Sequence, residues 1–395
     1  MTEVHKLAII GDGQLGRMTA EVAIPMGHEV YALGSAGERS PAAMVGAQQV
    51  EGYVMNAADI RRFAEIVGKE GSVFTLDLEQ VNADALAGLK AEGYRVEPSP
   101  TQLKVIQDKW EMKQQLRAAG VPVVPFMRLD NPGDYRAARN QFGAELMVKA
   151  RFGSFDGRGN LHASTRDNWD DIVRHFTDKK TGELAGLYVE QFTPFDRELA
   201  VVGARGVDNQ VGLYQPFETK HRLSICHTVT TPANINADIS DQAINRFHEV
   251  LRLNRGLGVL AVEMFEYNGE IYVNEYARRV HNSGHVTQDA HETSQFKLHL
   301  QAILGLELGS TERKARAAAM INILGTYDNS LTEAMLSAQD YGDGNAWLHL
   351  YDKAPRAGEP RKIGHVNAIG NNVAEALASA QAIHDVFGDP YAVAA

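Results

Sequence analysis

The apolar run Leu7-Ala8-Ile9-Ile10 ends at Gly11-Asp12-Gly13-Gln14-Leu15-Gly16, and a second run, Glu29-Val30-Tyr31-Ala32-Leu33, follows shortly after. Between them Arg17, Met18, Ala20 and Val22 carry a helical pattern. Strand, glycine turn, helix and strand in this spacing predict a βαβ unit. The chain therefore opens as an α/β, doubly wound domain on a parallel sheet. Its glycines match G-x-G-x-x-G, a spacing that lets a backbone approach a pyrophosphate closely. The acidic residue expected after the second strand is missing, because Leu33 runs into Gly34-Ser35. On these features alone a nicotinamide- or flavin-binding oxidoreductase stays open.

Further along, Val73 to Leu76 reads as a strand leading into Asp77 and Glu79, and Val96-Glu97-Pro98-Ser99-Pro100 breaks the chain. Gln102 to Ala119 is expected as one helix, on Leu103, Val105, Ile106 and Leu116. Met147 to Ala150, Leu187 to Glu190 and Glu198 to Val202 are expected strands. Val259 to Tyr267 and Ile271 to Tyr276 form a hairpin around Asn268-Gly269. A two-residue loop pairs Glu263 with Asn274; a three-residue loop or a bulge pairs Glu263 with Glu275, and a metal site needs the second arrangement. Met320 to Leu324 and Trp347 to Tyr351 are strand-like, and Asn372 to Phe387 is a final helix.

The formal net charge of −11, with no basic run, argues against nonspecific nucleic-acid binding. One cysteine, Cys226, rules out an internal disulfide and fits a reducing compartment. No apolar run is long enough to span a bilayer. The expectation is a cytoplasmic protein without membrane or nucleic-acid partners.

Chemistry concentrates late in the chain. Glu263 and Glu275 on neighbouring strands suit a hard cation such as Mg²⁺. His281-Asn282-Ser283-Gly284-His285 is too polar for a core strand, and its imidazoles, amide and hydroxyl can donate to a small oxyanion. The two histidines have no third ligand nearby, which disfavours zinc. Lys149 ends a strand before the turn Gly153-Ser154-Phe155-Asp156-Gly157-Arg158-Gly159, so lysine and loop N–H groups can hold a nucleotide phosphate, although this is no Walker loop. Glu190 ends a strand where a ribose hydroxyl or adenine amine can meet it. Lys353, Arg361 and Lys362 form a basic group able to bind a substrate phosphate. For each of these residues alone, an ordinary structural or solvated role stays open.

Taken in order, GDGQLGRM (Gly11 to Met18), QDKWEMK (Gln107 to Lys113), GSFDGRGN (Gly153 to Asn160), NEYARRVHNSGH (Asn274 to His285), SQFKLHLQA (Ser294 to Ala302) and RKIGHVN (Arg361 to Asn367) resemble the ATP-grasp superfamily, and within it the 5-(carboxyamino)imidazole ribonucleotide synthase family. The resemblance spans nearly the whole chain. It implies an N-terminal preATP-grasp domain over residues 1–103, an ATP-grasp domain over 104–300 with a lid at about 120–190, and a small C-terminal β-rich lobe over 301–395. It implies ATP and Mg²⁺, and no NAD, flavin or biotin. Lys109, Lys149, Ser154, Gly157, Gly159, Glu190, Gln191, Glu198, His221, Asn274 and Glu275 are then the ATP residues, and Glu263 and Glu275 the magnesium ligands. Arg279, His281 and Asn282 face bicarbonate. Asp156 and Arg158 act on aminoimidazole ribonucleotide, which Gly13, Gln14, Leu15, Phe155, Lys353 and Arg361 help to bind. The resemblance further implies a homodimer and a product passed to a mutase. Another ATP-grasp ligase, such as a formate-dependent purine transformylase, and a noncatalytic nucleotide-binding paralogue are the alternatives.

Four positions depart from the family pattern: Asp12 for glycine or asparagine, Phe155 for tyrosine, Arg278 for proline and Lys297 for glutamate. Phenylalanine keeps the ring of tyrosine and lacks one neutral hydrogen bond, a difference of about a few-fold to tenfold in affinity. Phe155→Tyr is therefore expected to lower the Michaelis constant for aminoimidazole ribonucleotide by about that factor, with turnover little changed. Steady-state kinetics of both proteins checks this.

Overall fold

A computed structural model describes residues 5–35, 40–153, 159–178, 181–222, 224–325, 344–353 and 361–387. The doubly wound start is present. Strands β1 (Lys6–Ile10), β2 (Glu29–Gly34), β3 (Gln48–Glu51) and β4 (Ser72–Leu76) form a parallel sheet in the order β3-β2-β1-β4. Leu7 and Ile9 pack with Ala20 and Ala23 on one face, and Ala8 and Ile10 with Phe63 and Leu86 on the other. Both faces are covered, which is why the strand reads as a continuous apolar run. Gly11 sits at φ +107°, where a Cβ would lie 2.5 Å from Leu78 Cδ2, so glycine alone fits.

The single helix expected over Gln102 to Ala119 is two. Pro100–Gln107 and Lys109–Ala118 are separated by Asp108, whose backbone is extended at φ −111° and ψ 100°. Its carboxylate accepts from the N–H of Trp110 at 3.0 Å and caps the second helix. Asp108 also pairs with Arg151 Nη2 at 2.5 Å. Apolar periodicity runs through this break, so the cap and not the pattern ends the first helix.

Beyond it lies a small antiparallel sheet of β5 (Phe126–Leu129), β6 (Leu146–Ala150), β7 (Asn160–Ala163) and β8 (Leu187–Gln191), in the order β5-β8-β6-β7. The remaining strands make one antiparallel sheet of nine among the described residues. They are β9 (Arg197–Arg205), β10 (Val211–Leu213), β11 (Phe217–Arg222), β12 (Ile225–Thr231), β13 (Gly258–Tyr267), β14 (Glu270–Ala277), β15 (Ala317–Gly325), β16 (Ala346–Leu350) and β17 (Arg361–Gly370). Their order is β14-β13-β9-β11-β12-β15-β17-β16, with β10 on β9. The C-terminal strands thus extend the central sheet through the β12–β15 pairing. Alternation along β9 and β13 sends Leu199, Val201, Leu260 and Val262 to the helix Ala237–Leu253, and Val202, Ala204, Val259 and Ala261 to the helix Gln295–Leu304. No helix among the described residues is long and apolar enough to cross a membrane.

Gln295–Leu304 is buried on all sides but that of Lys297 and Gln301, and its two buried polar side chains, Gln295 and His299, are both hydrogen-bonded. Phe296, Leu298 and Ala302 face the central sheet, while Leu300, Ile303 and Leu304 join the N-terminal core with Leu7 and Ile9. His299 ties the two sheets together. Its Nδ1 accepts from the N–H of Val259 at 3.1 Å, and its Nε2 lies 2.9 Å from Thr75 Oγ1. Gly258, at φ +93°, makes room for the ring, since a Cβ there would sit 2.7 Å from Nδ1.

Burial, helped by the charge of Arg278, drives the His299 imidazole down to about 3. The folded ring stays neutral while the unfolded one takes a proton below about pH 6.5. The unfolded chain then binds more protons, so stability falls as pH drops below about 6.5, by about 1.4 kcal/mol per pH unit for each such group. Thermal unfolding is expected to follow this slope, and His299→Gln should flatten it by one proton. Melting curves of both proteins across that window decide it; parallel slopes would locate the pH dependence elsewhere.

Candidate active site

The turn of the hairpin is Asn268-Gly269, at φ +51° and +78°, so Tyr267 pairs with Glu270 across a two-residue loop. Taken alone, that loop aligns Glu263 with Asn274. The register then shifts between Met264 and Glu263: Met264 pairs with Val273, and Glu263 with Glu275. Asn274 is the extra residue of a β-bulge. Both features of the hairpin are present, and Glu263, Asn274 and Glu275 all line one cleft of about 570 Å³.

The opposite wall comes from the small sheet and the helix capped by Asp108. Lys149 (β6) and Glu190 (β8) approach at 2.7 Å, Lys113 reaches the other Glu190 oxygen at 2.8 Å, and Lys149 Nζ donates to Asn274 Oδ1 at 3.1 Å. Lys113 and Glu190 are about as buried as core leucines, at 1% and 2% exposure. Burial raises the Glu190 carboxyl, but the two ammonium groups outweigh it and hold the acid ionised. Burial pushes Lys113 the other way, downward. Two cations share one anion, which leaves a net positive charge in a dry wall, a place for a phosphate.

Lys109 crosses the cleft to Glu275 at 2.7 Å. Burial and the neighbouring Glu275 charge push Glu263 up to about 7, while Lys109 overcomes burial and holds Glu275 below the usual carboxylate range. Two opposed carboxylates of which one prefers to keep a proton are a donor set that a hard cation would complete. Among the described residues no group of three or more acidic, histidine or cysteine side chains could hold a metal alone. The remaining ligands of a Mg²⁺ held by Glu263 and Glu275 would be phosphate oxygens and water.

Glu198 (β9) pairs with His221, which a register shift in β11 turns into the same cleft. Lys109, Lys149, Glu190, Gln191, Glu198, His221, Glu263, Asn274 and Glu275, each singled out from sequence, line this one space. Three lining rings were not. Phe195 and Phe265 stack at 4.5 Å and 5°, and Phe192 stacks on His162 at 4.2 Å. These rings give the cleft an apolar stretch beside Gln191, a surface against which a purine base can pack. Nothing local in sequence separates these rings from core phenylalanines.

The polar loop after β14 lies at the end of this cleft. His281 Nε2 is 3.3 Å from Glu263, and its Nδ1 accepts from the N–H of Ser283 at 3.3 Å, which leaves Nε2–H toward the carboxylate. Gln295 clamps the loop: its Oε1 accepts from the His281 N–H at 2.9 Å, and its Nε2 donates to the His281 carbonyl at 2.7 Å and to His285 Nδ1 at 3.2 Å. His285 is fully buried and held neutral, so it stands behind the loop and not in the anion site. Arg279 pairs with Glu79 at 2.6 Å. Arg278 turns the other way, buried, and donates to the carbonyl of Leu257 at 2.9 Å.

The N-terminal glycine turn meets the same region. The N–H of Gly13 donates to Asp77 Oδ2 at 2.5 Å, and a Cβ on Gly13 or Gly16 would lie 3.0 or 3.1 Å from that oxygen. The turn is thus packed around an internal carboxylate. Asp12 is pushed up to about 6 by burial and by Asp77. Leu15 turns its side chain into the core, leaving its main chain at the helix start. Gln14 accepts from Lys353, whose Nζ also donates to the Lys362 carbonyl at 3.0 Å, and Arg17 pairs with Asp352. Asp77 feels both Arg279 and Lys353, so these positions share one region, and Arg361 opens β17 nearby. Ser154, Phe155, Asp156, Gly157 and Arg158 lie outside the described residues, while Gly159, just beyond them, accepts from the N–H of Ala150 at 2.8 Å.

Residues 4–107 match the profile of the ribonucleotide synthetase preATP-grasp domain, residues 114–296 that of the ATP-grasp domain, and residues 318–379 that of the phosphoribosylaminoimidazole carboxylase C-terminal domain. The N5-carboxyaminoimidazole ribonucleotide synthase of Mycobacterium tuberculosis is 36% identical over 378 residues, covering 93% of this chain and 84% of that protein. The chloroplastic phosphoribosylaminoimidazole carboxylase of Vigna aconitifolia is 35% identical over 93% of this chain, which spans 64% of that longer protein. The structure of carboxyaminoimidazole ribonucleotide synthase from Aspergillus clavatus complexed with ATP superposes with a TM-score of 0.87 at 32% identity, over 97% of this chain and 98% of that one. A second Aspergillus clavatus structure, in complex with ADP and 5-aminoimidazole ribonucleotide, gives 0.86 at 30% identity, over 98% and 99%. The chain belongs to the N5-carboxyaminoimidazole ribonucleotide synthase family of ATP-grasp proteins.

Proposed function

We propose that this chain is an ATP-dependent carbon–nitrogen ligase of purine synthesis that carboxylates 5-aminoimidazole ribonucleotide with bicarbonate and releases ADP and phosphate. The observation that carries the reading is the join between two sites. A net-positive nucleotide wall, Lys113–Glu190–Lys149, faces the carboxylate pair Glu263/Glu275, and His281 bridges from Glu263 into the loop of Arg279 and Asn282. A relative with this fold holds ADP and 5-aminoimidazole ribonucleotide together.

In this reading Lys109, Lys149, Glu190, Gln191, Glu198, His221, Asn274 and Glu275 hold ATP, with its base against the phenylalanine-lined stretch of the cleft. Glu263 and Glu275 would hold Mg²⁺, which when bound would supply charge neutralisation to the transferring phosphate. Arg279, His281 and Asn282 orient bicarbonate so that its oxygen attacks the γ-phosphorus in line, ADP leaves, and carboxyphosphate forms. The exocyclic amine of the ribonucleotide then takes the carboxyl group, directly or from released carbon dioxide, and phosphate departs. Gln14, Lys353 and Arg361, with Asp156 and Arg158, are assigned to the ribonucleotide, and Asp156 to the proton of the amine. At Gly13 the N–H is already engaged by Asp77, so the main chain of Gln14 and Leu15, at the free start of the helix, is the better phosphate donor. We also assign a homodimer and a product, a labile carbamate, that passes to a mutase.

ADP release with and without the ribonucleotide, at varied bicarbonate, tests the reaction: release that ignores both would leave only a nucleotide-binding protein. Glu263→Gln and Glu275→Gln are each expected to cut that release by about a hundredfold at saturating magnesium; wild-type rates in either would move the metal site. Alanine at Lys353 or Arg361 should weaken the ribonucleotide response about tenfold and spare a nonhydrolysable ATP analogue in titration calorimetry. A large loss of analogue affinity in both would reassign them to ATP.

A further inference from the structure

Asn282 has its side-chain amide held by another amide. Its Nδ2 donates to Asn322 Oδ1 at 3.0 Å, and its Oδ1 accepts from Asn322 Nδ2 at 2.6 Å. Asn322 is on β15, 40 residues away in sequence, with 0% exposure and no contact with the cleft itself. Its Nδ2 also donates to the carbonyl oxygen of Cys226 at 2.8 Å.

These bonds form a chain of decisions. A backbone carbonyl can only accept, so the Cys226 oxygen determines which end of the Asn322 amide is nitrogen. The reciprocal pair then determines the same for Asn282. One Asn282 N–H and one lone pair of its oxygen are engaged by Asn322; the second N–H is left for a ligand. An amide without such a partner can flip and exchange donor for acceptor. Before an oxyanion the difference matters, because a nitrogen attracts it and an oxygen repels it. The arrangement parallels Gln295, which clamps the main chain of the preceding residue, His281, from outside the loop. Both partners are buried, so water cannot substitute for either amide cheaply.

We propose that Asn322 is a positioning residue for the oxyanion end of the site: anchored on Cys226, it sets the Asn282 amide so that nitrogen, not oxygen, faces bicarbonate. The inference rests on the reading of Arg279, His281 and Asn282 given above. It adds a residue from the C-terminal strands that touches no substrate.

The test is steady-state ADP release by Asn322→Leu, close in size with no polar atom, and by Asn322→Asp, which keeps the shape and loses both donated bonds. Asn282→Ala and the Asn282→Ala/Asn322→Leu double variant complete the cycle. Both Asn322 variants are expected to raise the Michaelis constant for bicarbonate about tenfold, and to leave that for ATP within about twofold. In the Asn282→Ala background, Asn322→Leu should add less than about a twofold further rise. A merely structural residue would instead shift both constants and turnover together, and its effect would multiply in the double variant. Unchanged bicarbonate constants in a folded Asn322 variant, or full multiplication in the cycle, would overturn the inference. Where Asn322→Leu melts early, Asn322→Asp carries the comparison. A wild-type protein whose ADP release ignores bicarbonate would sink the oxyanion reading and this inference with it; a bicarbonate-dependent wild type with indifferent variants would sink this inference alone.

Discussion

The bulge at Asn274 sends consecutive side chains to the same face of β14, where the alternation of a plain strand would turn one of them away. Asn274 meets Lys149 and Glu275 meets Lys109, so both walls of the cleft are tied to this irregularity. Without it, a two-residue turn would leave Glu263 facing an amide and Glu275 on the far side of the sheet. The local cost of a lost ladder bond is offset by the Lys109–Glu275 ion pair and the Lys149–Asn274 hydrogen bond that the extra residue permits.

Charge in the cleft is kept out of balance on both sides. One wall holds two ammonium groups on one carboxylate, Lys149 and Glu190 from the small sheet and Lys113 from the helix beside it, and the central sheet holds two carboxylates with Lys109 of that helix reaching across to one of them. Buried charge of either sign is costly when unmatched. An anion bridged to a cation satisfies both sides at once, and a magnesium-bound triphosphate has that form. The same imbalance explains why Glu263 resists ionisation while Glu275, a few ångströms off and in contact with Lys109, does not.

What sequence could and could not show follows from how far each decision reaches. The parallel opening, the hairpin and most of the polar residues that line the cleft are legible because each is announced by local periodicity, turn chemistry or a motif. The break at Asp108 was not, because a cap competes with a helix by a single side-chain bond that periodicity does not register. The stack of Phe195 on Phe265 exists only because the segment between β8 and β9 meets β13, 70 residues on in sequence. Asp77 and Gly13 are 64 residues apart, and Asn322 and Asn282 are 40. Such partnerships are properties of the sheet order, and no window along the chain contains them. The glycine spacing of the first turn pointed to a dinucleotide; the fold spends those glycines on close packing around Asp77 instead.

The pairing of β12 with β15 makes the central and C-terminal strands a single plate. Glu263, Glu275, His221 and Asn322 all stand on it, and Lys353 lies in the segment leading from its edge strand toward β17. Lys149 and Glu190 stand on the separate four-stranded sheet. Splitting the plate would break a ladder of main-chain hydrogen bonds, whereas the small sheet meets the rest of the cleft through side chains and a few main-chain bonds, among them Lys109 N–H to the Arg151 carbonyl at 2.9 Å. The separations among Glu263, Glu275, His221 and Asn322 are therefore set by main-chain pairing, whereas the width of the cleft depends on the ion pairs and the few main-chain bonds that cross it.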